Sequence, residues 1–193
     1  MISCIFVIVI HVTNYFCRAY GEITQSEYLF ALLLDTLARV SVPCFFMISG
    51  ALLLGREEPL KKHRERLLRF LIALVVWSVV YYIWNRAFMK TEYNLKEILY
   101  VPTEPHLWYL YAMIPIYMVL PFFQVMCKGM SRKLERTLLV VCGASVVFNY
   151  MVSLQNGEAY YDLPLVGDKV YMFYIFIGYF IYKYRREIRI SQK

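Results

Sequence analysis

One histidine interrupts an apolar run near the start of the chain. His11 lies in FVIVIHVTNYF, residues 6–16, and Asn14 follows three positions later, on the same face if the run is helical. Imidazole is the usual general base near neutral pH, so one interpretation is a role in proton transfer. The other is a hydrogen bond to a neighbouring helix within the membrane. The run by itself is compatible with both.

A second apolar block carries two opposite charges. Asp35 and Arg39 are four residues apart, so they share a helical face and can form an ion pair, and Ser49 follows in the same block. An ionisable group inside a bilayer costs about 2.5–3.5 kcal/mol on insertion scales and usually faces a cavity or a partner. The pair is therefore either a charge-neutral structural element or part of a binding site.

Three cations form a stripe further along the chain. Lys62, Arg66 and Arg69 have the spacing i, i+4 and i+7, which is one helical face. Guanidinium groups bind phosphate oxygens in a two-pronged geometry, so the stripe is suited to a polyanionic ligand from the cytosol. The same cations also fit a simpler role as a signal of membrane orientation.

The segment VPTEPHLWYLY places His106 and Trp108 where another apolar run begins. Tryptophan at a membrane interface is common and indicates little by itself. His106 is compatible with a structural or a chemical role.

The composition predicts that apolar helices position all of these residues. The chain has 193 residues, of which 60% are hydrophobic and 18% charged, with a mean hydropathy of +0.49, whereas soluble domains are about 45–50% apolar. The apolar residues fall in blocks of the length that crosses a bilayer. We expect an all-α, polytopic transmembrane helical bundle forming a single domain over residues 1–193. Its six spans are predicted at about 1–17, 28–54, 67–86, 107–127, 137–154 and 165–184.

The basic residues predict the orientation of these spans. Most of the 21 lysines and arginines lie in segments 55–69 and 128–136 and in the tail from residue 183. Short loops rich in lysine and arginine stay in the cytoplasm, so both termini are predicted to be cytoplasmic, in the plasma membrane. This role and attraction to anionic lipid account for the net charge of +7 without a nucleic-acid partner.

The five cysteines are scattered without a CxxC pair, and no residues have the spacing of metal ligands. We therefore expect neither a metal site nor a permanently bound cofactor.

In combination, four motifs resemble the acyltransferase-3 family of integral-membrane O-acyltransferases. They are an aliphatic pair before His11, the stretch RVSVPCFFMISG from Arg39, the R-x-x-R formed by Arg66 and Arg69, and HLWYLYA from His106. They occur in the family's order and on the sides of the membrane that the predicted orientation gives.

The resemblance implies transfer of an acyl group, most often acetyl, from cytosolic acyl-coenzyme A to a hydroxyl of a surface glycan or lipid-linked sugar. The family's histidine maps onto His11 as the catalytic residue. Its R-x-x-R maps onto Arg66 and Arg69 as the donor site, to which Lys62 is added here. Asp35, Arg39, Ser49, His106 and Trp108 are hypothesised to contact substrate, with Arg39, Ser49 or His106 lining the acceptor half or stabilising the thioester oxyanion.

The chain also departs from the family's pattern. Members usually carry an arginine about three helical turns before the histidine and have more spans. The chain is therefore expected to correspond to the first six or so spans of the family. Both a short N-terminal lead and the later spans are expected to be missing.

Two other functions remain open at this stage. Six spans in a chain of this length also suit a small-molecule transport or substrate-binding component, in which His11, Asp35 and Arg39 would bind a solute. The second alternative is an inactive acyltransferase remnant that pairs with another membrane protein. The sequence is also compatible with assembly as a homo-oligomer.

Overall fold

The structure is a computed structural model that describes residues 2–56, 58–89, 98, 100–155 and 170–191. Seven α-helices and no strand are found in these ranges, so the predicted all-α class is confirmed. The helices are α1 (Ile2–Arg18), α2 (Gln25–Ala38), α3 (Ser41–Leu53), α4 (Leu60–Trp84), α5 (Trp108–Gly129), α6 (Arg132–Leu154) and α7 (Tyr171–Ser191).

Four helical stretches within the described ranges are long and apolar enough to cross a membrane: Gln25–Leu53, Leu60–Met89, Pro105–Gly129 and Arg132–Leu154. They match the second to fifth predicted spans. The first predicted span corresponds to α1, a shorter apolar helix of 17 residues. The sixth corresponds to α7, whose last turns are charged, and residues 165–169 of that prediction lie outside the described residues. The count of six crossings and the cytoplasmic termini stay predictions.

A break within the second predicted span separates α2 from α3. Proline has no N–H, so Pro43 cannot donate the helical hydrogen bond that the carbonyl of Arg39 would otherwise accept. The N–H of Val42 donates to that carbonyl instead, at 3.3 Å, one residue earlier than in an α-helix. Arg39 therefore lies at a tightened turn between two helices.

Three helices, α2, α4 and α6, start outside the predicted apolar spans. Thr24 and Glu27 form a reciprocal capping box at the start of α2, and Ser131 caps α6. Pro59 precedes α4, which begins at Leu60 and contains most of the basic segment that was predicted as a loop. Lysine, arginine and glutamate are good helix formers, so a span extends into its polar flank until a breaker stops it.

The chain divides into two compact units. The first comprises Met1–Gly55 and Cys127–Lys193, and its most extensive described helix pairing joins α3 to α7. Two glycines form this crossing. A Cβ at Gly50 would overlap the carbonyl of Ile175, and a Cβ at Gly178 would overlap the backbone of Met47. The two helices therefore approach closely because both positions lack a side chain.

The second unit, Arg56–Met126, contains α4 and most of α5. A π-helical turn, Asn85–Met89, continues α4, and a short 3-10 turn, Pro105–Leu107, precedes α5. The rings of Phe70 and Tyr117 lie 4.7 Å apart in the first half of α4, and those of Tyr81 and His106 lie 4.9 Å apart near its end. These contacts give α4 and α5 an antiparallel arrangement.

Candidate active site

His11 is half-buried in α1. Ile10 and Asn14, also half-buried, lie on the side of α1 that neighbouring helices cover, and His11 lies at one margin of that side. Thr13 is two residues from His11 and so projects about 200° around the helix axis from it. It is buried toward the other margin of the covered side. The imidazole therefore projects at the boundary between the covered and exposed sides of α1.

Thr13 connects α1 to the charged pair on α2. Its hydroxyl is 3.1 Å from Oδ1 of Asp35 and 2.9 Å from the carbonyl oxygen of Val9. The other carboxylate oxygen, Oδ2, accepts a hydrogen bond from Nε of Arg39 at 2.6 Å. The predicted ion pair between Asp35 and Arg39 is thus present, and its carboxylate also contacts α1.

Burial differs sharply between the two charges. The side chain of Asp35 is 6% exposed, whereas that of Arg39 is 69% exposed. A buried carboxylate requires a partner of opposite charge and hydrogen-bond donors, and Arg39 and Thr13 can supply both. The contact between Thr13 and Asp35 holds α1 against α2. Thr13 projects about 200° around the α1 axis from His11. This burial and pairing favour the structural interpretation of Asp35. The side chain of Arg39 is largely exposed beyond the Nε that contacts Asp35.

Ser49 is half-buried on α3, one residue before the close crossing at Gly50. Among the contacts of the described residues, none joins Ser49 to Asp35 or Arg39. Its role in substrate binding stays a prediction.

The cationic stripe lies on α4, as predicted. Lys62, Arg66 and Arg69 project within about 60° of one another around the helix axis. Lys62 and Arg69 are exposed. Arg66 is partly buried, and its Nη2 donates to Oε1 of Glu58 at 2.7 Å. This hydrogen bond lowers the pKa of Glu58 below its ordinary value of 4.5.

His63, which sequence reasoning passed over, is buried on the same helix. Its Nε2 lies 2.6 Å from the backbone carbonyl oxygen of Tyr117 on α5. A carbonyl only accepts, so Nε2 carries the proton. Pro121 explains why this carbonyl is open, because the N–H four residues later, its normal helical donor, is absent at a proline. The sequence signal was therefore the proline, which marks an acceptor on Tyr117.

The other end of the second unit carries His106 and Trp108. His106 is exposed in the 3-10 turn, edge-on to Tyr81, and Trp108 begins α5. Nearby, the buried side chain of Asn85 donates to Oε1 of Glu104 at 2.8 Å. This end therefore combines aromatic faces with an imidazole, an amide and a carboxylate, groups that can bind a polar ligand. Asn85 and Glu104 had no signal in the sequence.

The structure brings the predicted residues together in groups within each unit. The first unit joins Asp35 to Arg39 and carries His11 on the adjoining helix. The second carries the stripe of Lys62, Arg66 and Arg69 on one helix face, and His106 and Trp108 where α5 begins. The residues missed were Thr13, Glu58, His63, Asn85 and Glu104, all of which act through tertiary contacts.

Comparison with known proteins gives one positive finding. A family model described as an acyltransferase domain, that of the acyltransferase-3 family, matches residues 1–193. Neither the curated proteins nor the solved structures yield a match.

Proposed function

Because the chain belongs to the acyltransferase-3 family of membrane proteins, we propose that it moves an acetyl group from cytosolic acetyl-coenzyme A to a hydroxyl of a surface glycan or lipid-linked sugar. The proposal places it in the plasma membrane with both termini cytoplasmic. The observation that carries it is the family match along the whole chain. The positions of His11 and of the cationic stripe on apolar helices support it.

His11 is proposed as the general base. As the acceptor hydroxyl oxygen attacks the thioester carbonyl carbon, the imidazole takes the hydroxyl proton. The carbon–sulfur bond then breaks, and the imidazolium returns the proton to the departing coenzyme A thiolate. The contact of Thr13 with Asp35 supports this role indirectly, because it holds α1, and with it the imidazole, in a defined orientation.

Lys62, Arg66 and Arg69 are proposed to bind the phosphates of the donor. Lys62 and Arg69 are exposed cations, and Glu58 engages one guanidinium nitrogen of Arg66. A guanidinium has five N–H donors, so Arg66 retains capacity for a phosphate oxygen. Three cations on one helix face suit a ligand with several negative charges.

Acceptor binding is proposed for His106 and Trp108, with Arg39 and Ser49 as further candidates. His106 and Trp108 are supported by their place beside Tyr81, where an aromatic face and hydrogen-bonding groups occur together. Arg39 is supported by its exposed guanidinium, which could also stabilise a thioester oxyanion.

The test measures release of free coenzyme A from acetyl-coenzyme A by the purified protein in nanodiscs, with membrane glycolipid extract as acceptor. His11→Gln keeps a polar side chain but removes the base, and we expect turnover to fall at least about 100-fold. Arg66→Ala should raise KM for the donor. Its matched control is Arg64→Ala, an exposed cation of the same helix that projects away from the stripe.

Wild-type turnover in His11→Gln would refute the base assignment. An equal rise in KM for Arg64→Ala and Arg66→Ala would refute the donor site. If the wild-type protein releases no coenzyme A, solute binding or an inactive remnant is favoured instead.

A further inference from the structure

A cavity of about 400 Å³ lies between the first turns of α6 and the last turns of α7, within the first unit. Its lining combines charged and apolar side chains: Arg132, Glu135, Arg136, Leu139, Phe180 and Tyr184, together with Glu187. The apolar stretch of α6 begins at Leu138. The cavity therefore lies where a polar helix start enters an apolar span, at the level of a membrane–water interface.

One end of the cavity holds a preorganised arginine. Nη2 of Arg132 lies 2.6 and 2.7 Å from the two carboxylate oxygens of Glu187. The guanidinium carbon of Arg132 also lies 4.6 Å from the centre of the Tyr184 ring. These contacts hold the guanidinium at the cavity, while the Arg132 side chain remains 50% exposed.

A second ion pair, between Glu135 and Lys183, involves another residue of the cavity lining. Glu135 is 2% exposed, accepts a hydrogen bond from the Tyr184 hydroxyl at 2.5 Å, and forms an ion pair with Lys183. The carboxylate is thus neutralised and fully engaged. The other carboxylate of the lining, Glu187, is paired with Arg132.

Arg136 is the charged residue of the cavity lining that neither of these ion pairs includes. It is exposed, lines the cavity, and has no carboxylate partner among the described residues. Because Arg132 is paired with Glu187 and Glu135 is paired with Lys183 from outside the lining, the charge of Arg136 is the one left unbalanced among the described side chains at the cavity. Leu139, one turn further along α6, and the buried Phe180 give it an apolar floor.

We propose that this cavity binds the headgroup of an anionic phospholipid. Its phosphodiester, with one negative charge, would lie on Arg136 and Arg132, and its first acyl methylenes would pack on Leu139 and Phe180. Basic pockets between membrane helices bind lipid headgroups in this way. The unbalanced charge of Arg136 matches the single charge of a phosphodiester, whereas it would leave most of the several phosphate charges of coenzyme A without a partner.

The test titrates detergent-solubilised full chain with short-chain phosphatidylglycerol or with phosphatidylcholine of the same acyl length, and counts bound lipid by native mass spectrometry. Phosphatidylglycerol should bind more tightly. Arg136→Gln should weaken its binding about fivefold, the factor expected for one cation at a membrane surface. Lys133→Gln is the matched control, because it removes the same charge from an exposed position of α6 outside the cavity, and Arg136→Lys should bind nearly as well as wild type.

Three results would overturn the proposal. The first is equal binding of the two lipids, and the second is equal weakening by Arg136→Gln and Lys133→Gln. The third is displacement of phosphatidylglycerol by inorganic phosphate or coenzyme A at millimolar concentration, which would assign the cavity to a soluble phosphate. Binding is read without any acyl transfer, so its failure is distinct from failure of the proposed activity.

Discussion

Replacing His63 by alanine should destabilise the second unit, and the cost should depend on Pro121. The imidazole Nε2 donates to the Tyr117 carbonyl at 2.6 Å, and both residues are buried. Without His63 that carbonyl loses this donor, and Pro121 supplies no N–H in its place. In a Pro121→Ala background the helix recovers its own donor, so loss of His63 should cost less.

The expected coupling is about 1 kcal/mol. A buried acceptor left without a partner costs about 1–3 kcal/mol. Double-mutant cycles on hydrogen bonds between membrane helices average about 0.6 kcal/mol and reach about 1.7. A value near 1 kcal/mol satisfies both ranges, since the Tyr117 carbonyl is open in the unfolded, inserted helix as well.

The assay is reversible unfolding in mixed micelles with increasing sodium dodecyl sulfate, followed by circular dichroism. Wild type, His63→Ala, Pro121→Ala and the double variant complete the cycle. Pro115 provides a matched control on the same helix. Its open carbonyl belongs to Tyr111, four residues earlier, so a cycle of His63 with Pro115→Ala should give a coupling below about 0.5 kcal/mol.

Equal coupling of His63 to the two prolines would refute the reasoning. So would a coupling to Pro121 that cannot be distinguished from zero, because the hydrogen bond would then contribute nothing beyond side-chain packing.

Two further predictions concern packing and pH. Gly50→Ala should destabilise the first unit by about 1–3 kcal/mol, because the added methyl overlaps the Ile175 carbonyl. Gly143→Ala, whose new Cβ would lie 3.4 Å from the nearest ring atom, should cost little, and comparable thermal unfolding of both variants would contradict the close-crossing explanation. The lowered pKa of Glu58 means that its ion pair with Arg66 stabilises the fold above pH 4.5 and is lost as the pH falls through the lowered value. Glu58→Gln should therefore flatten the acid limb of the stability profile, and an unchanged acid limb would exclude this pair as its origin.

Several features could be predicted from the sequence because their causes are local. Apolar runs of membrane-crossing length gave the all-α class and the approximate spans. Helical periodicity alone placed Asp35 and Arg39 on one helix face and aligned Lys62, Arg66 and Arg69, because residues a few positions apart in a helix have fixed relative directions. The RVSVPCFFMISG stretch carried the family resemblance, although its pattern did not explain why the final glycine is needed.

Helix boundaries were less predictable from the sequence. Hydropathy indicates which residues are apolar enough to lie in the bilayer, and not where helical hydrogen bonding begins or ends. The basic segment before Leu67 was expected to be a loop, yet α4 starts at Leu60, where Pro59 precedes the helix. The second span was expected to be continuous, yet Pro43 interrupts the hydrogen-bond ladder at Arg39. Both prolines are visible in the sequence, and both act on the backbone hydrogen bonds, which hydropathy does not describe.

The remaining features join residues that are far apart in the chain, and only the tertiary structure decided them. Thr13 meets Asp35 across 22 residues, and His63 meets the Tyr117 carbonyl across 54. Gly50 reaches the backbone of α7 because neither crossing position carries a side chain. Each partner satisfies a need that the sequence displays, such as a buried carboxylate or a carbonyl opened by proline. Its identity depends on which helices pack together, because burial makes an unmet polar group costly while periodicity says nothing about the neighbouring helix.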